Sequence, residues 1–249
     1  MDLFSNTFNF KKFQLPEGIE KKLLLPDIIL GKQAEVIFEH ILTTTQVYTL
    51  LTANKQIQGA TETLGELDYL VEHTQTRKQL HIEIACKFYL FDNENHSTFE
   101  GKWIGPNRKD TLLDKITKLK NKQFPLLRHP NTQKMLQSIG FNSKEAEQCY
   151  YLFSSLYIPK DYDITLLPKN YQNCIVGYWV NHTKLTLDNK CLYAMPNKKE
   201  WLLPAENITS WYSAINIAPK ISEMIQNKRA PQLYKKKGTQ IEKFFVVWW

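Results

Sequence analysis

Hydrophobic and polar residues follow two different spacings over the first part of the chain. Between residues 31 and 44, apolar residues recur at intervals of three or four, which is the spacing of one buried helix face. Residues 47–57 then combine β-branched and aromatic side chains, as is typical of a strand. Two more strand-like runs follow, 65–71 and 81–89, with a short polar segment between them. The pattern predicts one helix followed by three strands.

Further helices and strands are predicted in the remainder of the chain. Asp110 is predicted to cap a helix whose apolar stripe lies within residues 112–119. Ser143, followed by two glutamates, matches the start of another helix. The other predicted elements are helices at 131–139, 143–157 and 206–227, the last broken or kinked by Pro219, and strands at 174–194 and 244–249.

The two strand-like runs at 65–71 and 81–89 carry opposed acidic residues. Period-two alternation places Ile82 and Ile84 on one face of the second run, and Glu83 and Lys87 on the other. A symmetric turn over residues 73–79 would pair Asp68 with Glu83. Directly opposed carboxylates repel unless a cation lies between them, and Mg²⁺ prefers carboxylate oxygens. The spacing therefore indicates a divalent-cation site.

An exposed strand face with weak cross-strand ion pairs would explain the same alternation. Such pairs contribute little to stability. They do not explain why Glu66, Asp68 and Glu83 cluster with Lys87 as the one nearby positive charge. The excess of negative charge favours the cation site.

Charge is the most informative property of the composition. The 249 residues carry a formal net charge of +7, with an isoelectric point near 9.0, which favours a polyanionic partner. Residues 102–134 hold nine basic and two acidic side chains. Lys115, Lys118 and Lys122 recur at three and four residues, as on a helix flank that follows a phosphate backbone. A second basic cluster comprises Lys228, Arg229 and residues 235–237, for which an ordinary solvated surface is an equal alternative.

Several function and location classes lack support in the sequence. With 43% hydrophobic residues the chain can form a core, but no apolar run reaches the roughly 20 residues of a membrane span. We expect a cytoplasmic protein, because the N-terminus has no secretory signal pattern and the four cysteines suit free thiols. The six histidines show no metal-ligand spacing, and no Gly-rich phosphate loop or serine-hydrolase elbow is present.

The order of helix and strands, with a helix glutamate, a strand aspartate and an acid and lysine on the next strand, resembles the PD-(D/E)XK (restriction-endonuclease-like) nucleases. The chain as a whole resembles the bacterial family described as domain of unknown function 1853. The matching segments are 30–35 (LGKQAE), 65–68 (GELD), 83–90 (EIACKFYL), 103–107 (WIGPN), 177–179 (GYW), 201–204 (WLLP) and 244–247 (FFVV), together with Asp110, Lys115 and Gln123.

The resemblance implies an α/β fold in three parts. Residues 1–30 would form an N-terminal arm. Residues 31–157 would form a restriction-endonuclease-like core of a helix, a three-stranded meander, a helix and a further strand. Residues 158–249 would form a C-terminal α+β extension packed on that core.

The resemblance also implies a hydrolase that cuts phosphodiester bonds in DNA or RNA, with DNA favoured, using Mg²⁺ or Mn²⁺. Asp68, Glu83 and Glu35 would hold the metal, with Glu39 as a competitor of Glu35, and Lys87 would steady the attacking water. The acid of this superfamily usually stands two residues before the lysine, where this chain has Ala85. Nucleic acid would contact Arg108, Lys109, Lys115, Lys118, Lys122 and Gln123.

Two rival functions follow from the same residues. With Ala85 at the acidic position, the fold could be a catalytically inactive module that binds nucleic acid or protein. A structural or assembly protein would carry the basic face as a soluble surface. Trp103 has two interpretations as well, packing on the sheet or stacking on a base.

Overall fold

The structure is a computed structural model, and it describes residues 28–249. Up to residue 27, the predicted N-terminal arm lies outside the described residues. The fold is mixed α/β, with a large β-sheet and several helices. Within residues 28–249, no helix combines the length and the hydrophobicity of a membrane span.

The helices of the described residues are α1 (Leu30–Thr45), α2 (Leu112–Lys118), α3 (Phe124–Leu126), α4 (Pro130–Ser138), α5 (Lys169–Gln172) and α6 (Ala214–Gln226). Short 3₁₀ turns also occur in the loops. Leu119–Gln123 forms a π-helical segment that continues α2.

Ten strands are formed by the described residues. Their bounds are β1 (Tyr48–Gln58), β2 (Thr63–His73), β3 (Gln79–Phe91), β4 (Trp103–Ile104), β5 (Glu147–Pro159), β6 (Ile175–Asn181), β7 (Leu192–Ala194), β8 (Tyr212–Ser213), β9 (Gln232–Lys237) and β10 (Gln240–Val247).

The chain divides into two compact units. The first comprises the described residues up to Cys86 together with Lys115–Phe153, and the second comprises Lys87–Asp114 and Ser154–Trp249. The domain boundaries inferred from the sequence remain a prediction.

In the first unit, β1, β2 and β3 form an antiparallel meander. Side chains of α1, among them Phe38, pack on one face of it with Tyr69 and Ile82. On the other face, Leu67 and Leu70 pack with residues of α3 and α4. The predicted order of a helix followed by three strands is confirmed.

The regular alternation of β2 is interrupted at Asp68. Leu67 and Leu70 belong to the same apolar cluster, although residues three apart on a regular strand face opposite sides. Opposite Asp68, between the pairs Ala53–Tyr69 and Lys55–Leu67, lies Asn54 with a φ of 50°. Asparagine tolerates this left-handed conformation better than most residues. The irregularity places Leu67 in the same apolar cluster as Leu70.

The second unit is built on the strand order β5-β6-β10-β9-β7-β8. β6 runs parallel to both β5 and β10, and the remaining pairs are antiparallel. A Cβ atom at Gly177 would lie 2.0 Å from the Lys243 carbonyl oxygen, so the close approach of β6 to β10 requires glycine. Helix α6 packs on one face through Ile217 and Ile221.

Three local predictions are wrong. Residues 147–159 form strand β5, not the end of a helix over 143–157. Helix α6 begins at Ala214 and continues through Pro219, where a break or kink was expected. Helix α2 is capped by Thr111, whose hydroxyl accepts from the Asp114 backbone N–H while Asp114 accepts from the Thr111 N–H. This reciprocal arrangement is a capping box, and Asp110 takes no part in it.

Trp103 packs inside the second unit. Its side chain is 0% exposed, and its ring stacks on Tyr171 with centroids 5.6 Å apart. The packing interpretation is confirmed, since a buried ring cannot stack on a base.

Candidate functional site

Asp68 and Glu83 are brought together by the register of β2 and β3. Tyr69 pairs with Ile82 and Leu70 with His81, which confirms the predicted register and places Asp68 opposite Glu83. At this point the backbone pairing of β2 with β3 ends. The Ile84 N–H donates instead to the side-chain oxygen Oδ2 of Asp68, at 2.8 Å. The two acids lie close enough that the charge of Glu83 acts on Asp68.

Burial sets the ionisation of both acids. It raises the pKa of Asp68 to about 7, with a further increase from the charge of Glu83. The pKa of Glu83 also rises to about 7, again because of burial, and the positive charge of Lys115 opposes that rise. Glu83 is 0% exposed. Near neutral pH the pair therefore retains a proton readily, and a cation at the same place would favour loss of that proton.

The helical segment that follows contacts this pair through Gln123, which is in turn hydrogen-bonded to Lys115. Gln123 Nε2 donates a short hydrogen bond to Glu83 Oε2, and Lys115 Nζ donates to Gln123 Oε1 at 3.0 Å. In an α-helix, residues eight apart lie about 80° apart around the axis. The wider turns of the π segment reduce that angle, so Gln123 comes onto the side that Lys115 occupies.

His81 holds the other oxygen of Glu83. Its Nε2 lies 2.9 Å from Glu83 Oε1, and its Nδ1 lies 3.0 Å from the amide nitrogen of Gln148. Since that amide nitrogen can only donate, Nδ1 accepts and Nε2 carries the proton that Glu83 receives. Burial lowers the pKa of His81 to about 4, so the ring is neutral near pH 7. Arg128 donates to Gln148 Oε1 at 2.6 Å and orients the amide.

Two further glutamates lie in the same unit. Glu35 Oε2 accepts from Lys32 Nζ at 2.6 Å, and Glu66 Oε1 lies 3.6 Å from the same ammonium. With its amide oriented to donate, the Asn54 side-chain nitrogen lies 2.9 Å from Glu35 Oε2 and 3.3 Å from Glu66 Oε1. The charge of Glu35 also raises the pKa of Asp68. The charge of Glu35 thus acts on Asp68 electrostatically, while Glu35 Oε2 is paired with Lys32.

The described part of the chain contains no ready-formed site in which three acidic, histidine or cysteine side chains could hold a metal ion. Residues 28–249 contain no group of three or more His, Cys, Asp or Glu side chains arranged for a metal ion. The predicted set of Glu35, Asp68 and Glu83 is therefore not gathered as ligands. Mg²⁺, however, usually takes one or two protein carboxylates and completes its shell with water and substrate phosphate. The donor chemistry of Asp68 and Glu83 fits that requirement.

Lys87 belongs to the second unit, and its ammonium donates a short hydrogen bond to Asp110 Oδ2. The lysine whose charge acts on both Asp68 and Glu83 is Lys115. Ala85 lies on the same face of β3 as Glu83 and adds no polar group.

The predicted nucleic-acid contacts have different surroundings. Lys109, Lys118 and Lys122 are exposed. Arg108 donates to Asn95 Oδ1 at 2.7 Å and lies 4.7 Å from the centre of the Trp249 ring. Lys115 is half-buried and donates to Gln123, whose amide nitrogen donates to Glu83. Gln123 thus contacts the acidic pair directly, and Lys115 acts on it through its charge.

Sequence reasoning missed His81, which is hydrogen-bonded to Glu83, and Gln148, which is hydrogen-bonded to His81. Gln148 carries no spacing signal, because it lies on another strand, 67 residues from His81. A usable signal did exist for His81, which stands two residues before Glu83 on the same predicted strand. Residues two apart on a strand share a face.

Comparison with known proteins identifies the family of the chain. No curated protein and no solved structure matches it. The model of the family described as Domain of unknown function (DUF1853) matches residues 13–247. That range covers nearly the whole chain, and the protein therefore belongs to the DUF1853 family.

Proposed function

We propose that this protein is a metal-dependent nuclease that hydrolyses phosphodiester bonds in DNA or RNA, with its reaction centre at Asp68 and Glu83. The observation that carries the proposal is the pair itself. The half-buried Asp68 stands beside the fully buried Glu83, each with a pKa raised to about 7, and the charge of the half-buried Lys115 acts on both. Strongly perturbed acids beside a specific charged partner are characteristic of reaction centres.

Asp68 and Glu83 would hold Mg²⁺ or Mn²⁺. When bound, such an ion supplies Lewis acidity and a water molecule of lowered pKa. His81 and Gln123 fix the two oxygens of Glu83, so this carboxylate keeps one orientation. Glu35 adds negative charge near Asp68, which increases the attraction of the pair for a cation.

Lys115 replaces Lys87 in our proposal as the positive group of the reaction centre. The Lys115 charge favours the ionised form of both acids. A lysine in that place can stabilise the negative charge that develops on the phosphate in the transition state. Lys87 instead pairs with Asp110 within the second unit.

Replacing Lys115 by methionine is expected to lower the rate of cleavage by about 100-fold or more, because one charge-stabilising group is lost. Lys87→Met is the matched control and is expected to cleave at close to the wild-type rate. Cleavage of labelled DNA is measured with Mg²⁺ and with EDTA. Equal losses in the two variants, or a greater loss in Lys87→Met, would contradict the assignment to Lys115.

Gln148→Leu is expected to weaken Mn²⁺ binding by about 10 to 100-fold, the usual effect of removing a group that orients a metal ligand. The change removes the donor that fixes the His81 tautomer, so His81 no longer directs its proton to Glu83. Gln133→Leu is the control, since Gln133 donates to the Leu127 carbonyl and not to His81. Mn²⁺ binding is read by electron paramagnetic resonance. If both variants lose stability alike and bind Mn²⁺ alike, the role of Gln148 is only structural.

The order of elements in the first unit supports a restriction-endonuclease-like core as part of this proposal. Helix α1 precedes the meander β1-β2-β3, a helical segment follows, and β5 lies next to β3. The acids stand on α1, β2 and β3, as the superfamily resemblance implies.

A catalytically inactive module that binds nucleic acid or protein is the second candidate. The observation that favours it is that both oxygens of Glu83 already accept hydrogen bonds, and Ala85 supplies no further acid. Metal titration separates the two functions. The nuclease binds Mn²⁺ and loses that binding in Asp68→Asn, whereas the inactive module binds no Mn²⁺ and still retains DNA.

A further inference from the structure

A small cavity in the second unit gathers lysines from separate segments of the chain. It is lined by Lys160 after β5, Lys184 before β7 and Lys235 on β9, around the rings of Tyr178 and Tyr193. Lys160 Nζ lies 5.9 Å from the centre of the Tyr178 ring. Three like charges that converge from distant segments repel one another, and a bound anion would relieve that repulsion.

The carboxylates near this cavity only partly neutralise its lysines. Glu242 lies 3.7 Å from Lys235 Nζ and also accepts from the Tyr178 hydroxyl at 2.7 Å. Lys237 faces the same side of β9 as Lys235, since residues two apart on a strand share a face. Its ammonium lies 3.6 Å from Asp188 Oδ2. Four lysines and two carboxylates leave an excess of positive charge.

Size and surroundings restrict the ligand. The cavity is small, with a volume of about 30 Å³, so a whole nucleotide cannot enter. The oxygens of a single anionic group can do so while the rest of the ligand remains outside. Lys160 and Lys184 are exposed at its edge, and Lys237 extends the charge along β9. A chain of anionic groups suits this arrangement better than an isolated ion.

We propose that Lys160, Lys184 and Lys235 bind a backbone phosphate group of a nucleic-acid strand at this cavity. The site accounts for Lys235 and Lys237 of the C-terminal basic cluster. The identity of the strand as nucleic acid rests on the proposed function, whereas the site itself needs neither the metal nor Asp68 and Glu83. Each lysine that contacts a phosphate releases counterions, so its loss lowers the salt dependence of binding.

Lys184→Gln/Lys235→Gln is expected to reduce the slope of log K against log salt concentration by about 1 to 2. Binding of a labelled single-stranded DNA is measured by fluorescence anisotropy over a range of KCl concentrations, with the full-length protein. EDTA is present throughout, so no cleavage and no metal contribute. Lys144→Gln/Lys169→Gln is the control, because it removes two exposed lysines away from the cavity and is expected to leave the slope close to that of the wild type.

Lys160→Gln/Lys184→Gln changes only exposed residues and repeats the test if the half-buried Lys235 is needed for folding. The same loss of slope in the control pair would overturn the site, and so would a slope unchanged in both cavity variants or a wild-type protein that does not retain DNA. If the slope falls as expected but the protein cleaves no nucleic acid, the result would support this phosphate site and contradict only the proposed nuclease activity.

Discussion

Asp68→Asn and Glu83→Gln are each expected to lower the rate of phosphodiester cleavage by at least about a thousandfold. A metal ion stabilises developing charge by several kcal/mol, and each 1.36 kcal/mol corresponds to a factor of about 10 in rate. The amides keep the shape of the side chains. In Asp68→Asn, the amide oxygen can still accept from the Ile84 N–H, so the loss would come from charge. Cleavage of labelled DNA at saturating Mg²⁺ gives the rates.

Glu39→Gln is the control for these two substitutions. Glu39 lies on α1 in the same unit, one turn from Glu35, and its replacement removes one negative charge. We expect this variant to cleave at close to the wild-type rate. An Asp68→Asn protein that folds, binds Mn²⁺ and cleaves normally would refute the proposed reaction centre.

Asp68→Asn is also expected to stabilise the protein above neutral pH. Burial raises the pKa of Asp68 in the folded protein to about 7, above the value near 3.9 in an unfolded chain. The folded state therefore binds more protons than the unfolded state between about pH 4 and pH 7, and stability falls as the pH rises through that window. Three pKa units correspond to a destabilisation of up to about 4 kcal/mol above pH 7. Asparagine cannot ionise and removes this loss.

Urea unfolding in EDTA at several pH values checks the expectation. The free energy of unfolding of Asp68→Asn should match that of the wild type near pH 4 and exceed it increasingly up to about pH 7, with a constant difference above. Asp161→Asn is the control, since Asp161 is exposed in the second unit. A variant that is less stable than the wild type at pH 8 would show that the ionised Asp68 stabilises the fold.

Local patterns sufficed for the meander. The polar segment between the two acidic strands is short, so a symmetric turn fixes which residues oppose each other, and the pairing of Tyr69 with Ile82 agrees with it. Local patterns failed over residues 147–159. The acidic residues after Ser143 resemble the first turn of a helix, yet the segment forms a strand between β3 and β6. The pairs with β6, at the end of this strand, join residues about 20 apart in sequence, and no local pattern specifies such pairing.

The sequence by itself determined the register that places Asp68 opposite Glu83, because the register follows from the short turn between two neighbouring segments. Only the tertiary structure decided which groups surround them. Lys87 shares a strand with Glu83 but pairs with Asp110, whereas Lys115 and Gln123 approach through a π segment. Glu83 is fully buried and receives hydrogen bonds from His81 on its own strand and from Gln123 on the π segment. The pKa values of these acids therefore depend on tertiary packing, which the spacing of residues along the sequence does not specify.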